Sequence, residues 1–136
     1  MGYVNYKGWE GETEFAKYLT DCFKGFKYKF VRIGGQEKNK KLLTGDVILD
    51  FRTDKKGKCL LKDYFLEAKK HADPNLFAIM KEAEKNASMY GKRGAIVYVV
   101  KQGKGFHRDG ELIAMSSNAF KRLIIELQGF VNEQQD

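Results

Sequence analysis

Apolar residues recur along this chain in helical and in strand-like rhythm, in the order helix, three strands, helix, strand, short strand, helix. Residues 8–23 predict the first helix: taking about 100° per residue, Phe15, Ala16, Leu19, Cys22 and Phe23 fall on one stripe, with Glu10, Glu14, Lys17, Asp21 and Lys24 opposite. Residues 26–35 alternate Phe26, Tyr28 and Phe30 against Lys27 and Lys29, predict a first strand, and end in Arg32 and Gly34-Gly35. The runs TGDVILDF (44–51) and YFLEAKK (64–70) predict two neighbouring strands joined by the Lys- and Gly-rich reversal 52–63. In residues 71–91, Leu76, Ile79, Met80, Ala83, Ala87 and Tyr90 share a helical face, with Asp73 as N-cap, Pro74 at the first helical position and Gly91 as terminator. GAIVYVV (94–100) is continuously apolar, as a strand inside a covered sheet is. A basic, Gly-rich turn (101–110) and a short strand ELIAM follow. In the last helix, capped by Ser116, Ser117 or Asn118, Phe120, Leu123, Ile124 and Leu127 recur before Gly129, and 131–136 reads as a frayed tail. The pattern predicts one α/β domain over residues 1–136.

Two features of this pattern carry chemistry. Side chains alternate along a strand, so Phe65, Glu67 and Lys69 share one face while Leu66 and Ala68 share the other. An acid and a base therefore project from an otherwise apolar strand. Asp46 opens the preceding strand, and antiparallel pairing can set its carboxylate beside that of Glu67. Two hard oxygen ligands on a rigid sheet suit Mg²⁺ or Mn²⁺, with Lys69 in reach of the same water or phosphate. A solvated strand face also carries such charges, so the three residues need support from elsewhere in the chain. Glu12 gives some: it falls near the centre of the first helix's apolar stripe, where an acid is costly to bury unless paired, although acids also suit a helix's first turn.

Composition narrows the partner. The formal charge is +7 with 43% hydrophobic residues, a balance that favours a polyanionic partner for a globular domain. In the loop before Asp46, Lys38, Lys40 and Lys41 have only Glu37 as an acidic neighbour and can meet DNA phosphates, the alternative being an ordinary solvated connection. Two cysteines, Cys22 and Cys59, show no CxxC or Cys/His clustering, which disfavours zinc and fits reduced thiols in a cytoplasm. No apolar run approaches a bilayer-spanning length, so no membrane role is expected. His71 and His107 are isolated and receive no role.

Asp46 followed by Glu67-x-Lys69 resembles the signature of the PD-(D/E)xK nuclease superfamily, with Gly45 where Pro is usual. Lys7-Gly8 followed by Glu12, and Arg32 followed by a small-residue turn and a basic loop, resemble the motifs of archaeal-type Holliday junction resolvases, over roughly residues 7 to 100. The resemblance implies a restriction-endonuclease-like core, a central mixed sheet flanked by helices. It implies that Glu12, Asp46 and Glu67 hold one or two Mg²⁺ ions, with Mn²⁺ as a substitute, and that Lys69 completes the catalytic set. Lys7, Arg32, Lys38, Lys40, Lys41 and Lys70 are the expected DNA contacts. The implied activity is cutting of opposed strands of four-way DNA junctions by a two-fold homodimer. The longer segment between Asp46 and Glu67 leaves a nickase, a restriction- or repair-type endonuclease, and a non-catalytic basic nucleic-acid-binding domain as alternatives.

Overall fold

The computed structural model describes residues 2–33, 45–104 and 108–135. Three helices, α1 (Gly2–Cys22), α2 (Leu76–Met89) and α3 (Ser117–Gln135), flank a five-stranded sheet of β1 (Phe30–Arg32), β2 (Val47–Leu49), β3 (Tyr64–His71), β4 (Gly94–Gln102) and β5 (Arg108–Ala114). The strands lie side by side in chain order. β3 and β4 run parallel, and the β1/β2, β2/β3 and β4/β5 pairs are antiparallel. A parallel pair needs a long crossover, and α2 supplies it. The α/β expectation, a mixed sheet between helices, is what the chain adopts.

Strand alternation divides the core in two. Phe15, Ala16 and Leu19 of α1 pack with Phe30, Val47, Leu49, Tyr64, Leu66, Ile96, Tyr98 and Val100, and Ala119 brings α3 to the same face. On the other face Ile79, Ala83 and Ala87 of α2 cover Phe65, Ala95, Val97 and Val99. Every residue of β4 from Gly94 to Val100 is buried, which is why that run is apolar throughout. A Cβ on Gly94 would stand 2.6 Å from that of Ala119, so α3 can approach the sheet this closely only over a glycine. Arg108, ion-paired with both Glu14 and Glu111, ties β5 to α1.

Several boundaries differ from the expectations. β1 is short because Lys24–Phe26 forms a 3-10 turn and Lys27 adopts a left-handed φ of 61°, which breaks an extended run through residues 26–29. The reversal after β2 is built, not open: Asp50 caps the 3-10 turn Phe51–Thr53, and the Asp54 carboxylate accepts the amides of Lys58 and Cys59 before a second turn at Leu60–Asp63. Asn75, not Asp73, caps α2, its side chain accepting the amide of Ala78 at 3.1 Å, so Pro74 lies outside the helix. Ser116 caps α3 through the amide of Ala119. That helix runs past Gly129 to Gln135, where the sequence pattern predicts a frayed tail, and Phe130 packs edge-on against Phe26 at 6.4 Å. Cys22, which helical periodicity puts on the apolar stripe of α1, is exposed. Among the described residues no helix is long and apolar enough to cross a membrane.

Candidate active site

The strands that carry the expected acids meet at a point where their ladder ends. Val47 is the single β2 residue in register with β3, opposite Leu66, which sets Asp46 across from Glu67 on the face covered by α2. Asp46 is pinned from both sides: its amide donates to the Leu66 carbonyl and its carbonyl accepts from Ile33, both at 2.9 Å. Beyond it the side chain takes over from the backbone, Asp46 Oδ2 accepting the amide of Ala68 at 3.0 Å. Gly45 allows this. Its φ is +82°, and a Cβ there would lie 2.6 Å from the Leu66 carbonyl oxygen. Proline could not take that φ, so the backbone here calls for glycine.

Glu67 stands on β3 over an apolar floor, since its register partner Val97 and the next inward residue, Val99, are both buried. Its pKa is raised, first by burial and then by the charges of Asp46 and Glu82, against the lowering effect of Lys69. The Lys69 ammonium lies 3.5 Å from Glu67 Oε1. Asp46, Glu67 and Lys69 thus form one constellation, with the α2 acid Glu82 close enough to be felt. Glu82 is exposed and flanks the apolar stripe of α2, from where its charge reaches Glu67.

Glu12 keeps different company. Its carboxylate accepts from Arg32 Nε at 2.8 Å, and only 14% of its side chain is exposed. Arg32 pairs with Val47 and shares the sheet face of Phe30, the α1 side, opposite to that of Glu67. The buried acid on the apolar stripe is therefore satisfied by an arginine. Lys70 likewise faces α1 and lies 3.7 Å from Glu10. The side chain of Lys7, and Lys38, Lys40, Lys41 and His107, lie outside the described residues. His71 is exposed.

Among the described residues no group of three or more His, Cys, Asp or Glu side chains is arranged to hold a metal ion. The Asp46/Glu67 pair nonetheless fits the demands of a hard dication in its donors: two carboxylates brought together by neighbouring strands, with burial first and then the Asp46 charge disfavouring ionisation of Glu67. Comparison of the chain with protein-family models, with curated proteins and with solved structures finds no match.

Proposed function

We propose that this chain is a Mg²⁺-dependent, structure-specific DNA endonuclease that resolves four-way junctions by phosphodiester hydrolysis. The observation that carries the reading is Asp46, at the entry to β2, set across from Glu67 of β3 with Lys69 at its side. Asp46 and Glu67 would hold the ion. When bound, such an ion supplies positive charge beside the scissile phosphate and lowers the pKa of a coordinated water.

The remaining work falls to the protein's own groups. Lys69, 3.5 Å from Glu67 Oε1, would hold its ammonium beside a phosphate oxygen or the attacking water and stabilise the charge that builds up in the transition state. Asp46 is fastened by hydrogen bonds through both its backbone and its carboxylate, so little reorganisation is needed on binding. Water oxygen attacks phosphorus, the bond to the 3′ oxygen breaks, and that oxygen leaves with a proton; 5′-phosphate ends follow from the resemblance. Glu12, held by Arg32 on the α1 side of the sheet, would join as a third ligand only by leaving Arg32 and reaching the α2 side.

The net charge of +7 supports a nucleic-acid substrate. Two opposed cuts call for a two-fold dimer. Phe120, Ile124, Leu127 and Val131 are exposed at 4-3-4 spacing on α3, a face suited to the same helix of a second copy.

The test is cleavage, with Mg²⁺, of a synthetic four-way junction against matched linear duplex, flap and single strand, with a chelator control. Junction cutting that stops with chelator is the expected result. Preference for duplex or flap would keep the nuclease and change its substrate; binding without cutting under any divalent ion would leave a basic binding domain.

A further inference from the structure

Away from the acid pair, at the far end of β2, lies a cavity of about 660 Å³ lined by aromatic and cationic side chains. Phe26 and Tyr28 stack at 5.6 Å with their planes 12° apart, and Phe130 of α3 closes on Phe26 edge-on. The left-handed φ of Lys27 takes the chain out of strand geometry between the two stacked rings. More than half of Phe26, 54%, is exposed, a large apolar surface to leave in water.

The other wall is basic by construction. Asp54 folds the loop by accepting the Lys58 and Cys59 amides, and that turn presents Lys55, Lys56 and Lys58, all exposed. Arg52 is already engaged, both oxygens of Asp50 accepting from its guanidinium. Among the described residues the ammonium groups of Lys27, Lys55, Lys56 and Lys58 have no carboxylate partner.

From this combination we infer a second nucleic-acid site that takes unpaired nucleotides, a base stacking on the Phe26/Tyr28 platform while the lysines meet its flanking phosphates. Cations alone would suit a duplex arm equally well. The exposed part of the Phe26 ring is what selects: bases within a duplex are stacked on one another, whereas an unstacked base can lie on an aromatic side chain. An acidic peptide would match the charge but has no use for the platform. The inference rests on the nucleic-acid part of the proposed function and not on hydrolysis. β2 separates the cavity from Asp46 by about 13 Å, the span of extended chain from there to Asp50.

The experiment is fluorescence polarisation of a labelled oligothymidylate, and of an abasic strand of equal length, against the full chain in chelator so that nothing is cut. Phe26→Ala is expected to weaken thymidylate binding about tenfold and leave the abasic strand unchanged. Phe26→Leu, which keeps apolar packing against Phe23 and Phe130, should weaken it similarly. Lys55→Gln/Lys56→Gln/Lys58→Gln should weaken both strands and lower the salt slope of log K by about 0.7 for each phosphate no longer neutralised. Equal affinity of wild type for the two strands, or unchanged thymidylate binding in both Phe26 variants, would overturn the site, as would displacement of thymidylate by polyglutamate at equal charge concentration. A protein that binds as expected yet never cuts DNA keeps this site and loses the nuclease reading.

Discussion

The carboxylate of Asp46 accepts the amide proton of Ala68 at 3.0 Å, so the first acid of the candidate site is fastened to the strand that carries the second. One side chain thus serves both sheet and site, and two substitutions separate the roles. Asp46→Asn keeps an acceptor for Ala68 and should melt near wild type while losing cleavage about a hundredfold or more. Asp46→Ala leaves that amide without its partner and should also lose about 1–2 kcal/mol of stability. Junction cleavage and urea unfolding of the two variants measure this; full activity in Asp46→Asn removes the residue from the site.

Burial, reinforced by the charges of Asp46 and Glu82, holds the Glu67 carboxyl above its ordinary value despite Lys69. An acid whose pKa is higher folded than unfolded contributes stability that is fully present below the unfolded value, about 4.3, and is lost as pH rises through the raised folded value. In chelator, Glu67→Gln should therefore be more stable than wild type at neutral pH, with the gap closing as pH falls toward the unfolded value. Mg²⁺ should stabilise wild type and not the variant. Melting curves of both across this range, with and without the ion, are the measurement; a gap that does not change with pH would contradict the placement of Glu67.

Replacing Gly45 tests the backbone that aims Asp46. Gly45→Ala puts a methyl group 2.6 Å from the Leu66 carbonyl oxygen at a φ of +82°, and should lose about 2 kcal/mol or more. Gly45→Pro should be worse, because its ring fixes φ near about −65°. Ordinary stability in Gly45→Pro would mean that the chain enters β2 along a different backbone path.

Periodicity makes most of this fold legible: the buried stripe of α1, the fully apolar β4 and the alternation on β3 each follow from which face a side chain must turn toward. That Glu67 and Lys69 share a face of β3 with Asp46 across from them follows from the same alternation, while what the three do is a matter of proposal. What escapes is decided by pairing across the chain. Glu12 is satisfied by Arg32, far along the sequence, and no local pattern distinguishes an acid held by arginine from one awaiting an ion. The shortening of β1 comes from Lys27, whose left-handed φ nothing in the alternation of Phe26, Tyr28 and Phe30 reveals. α3 outruns Gly129 because Phe130 finds Phe26, a packing partner invisible to helix-stop rules.

Removing the ammonium of Lys69 should act on both rate and titration. Lys69→Ala is expected to lose turnover about a hundredfold or more while still binding Mn²⁺ by calorimetry. Because the Lys69 charge lowers the Glu67 pKa, its loss should push that carboxyl higher still, seen as a displaced carboxyl titration by NMR. Loss of ion binding in a folded Lys69→Ala variant would give the lysine a role in holding the ion site together instead.

The dimer can be tested at α3. Ala119, Leu123, Glu126 and Phe130 face the body of the protein, where Glu126 meets Arg93 and Tyr64, while Phe120, Ile124, Leu127 and Val131 lie about 100° round the helix and are exposed. Packed against the same stripe of a second copy, they would bury a continuous apolar seam that neither copy covers alone. Ile124→Glu/Leu127→Glu puts two charges into that seam without touching the inward stripe, and should give a folded monomer by analytical ultracentrifugation. That monomer should still nick a junction, because Asp46, Glu67 and Lys69 all come from one copy, but should lose the coupling that makes the second, opposed cut follow within the lifetime of the complex. On a supercoiled cruciform plasmid the expected change is from linear to nicked product. A wild-type chain that sediments as a monomer at cleavage concentrations and still linearises the plasmid would show that paired cuts need no second copy on this face.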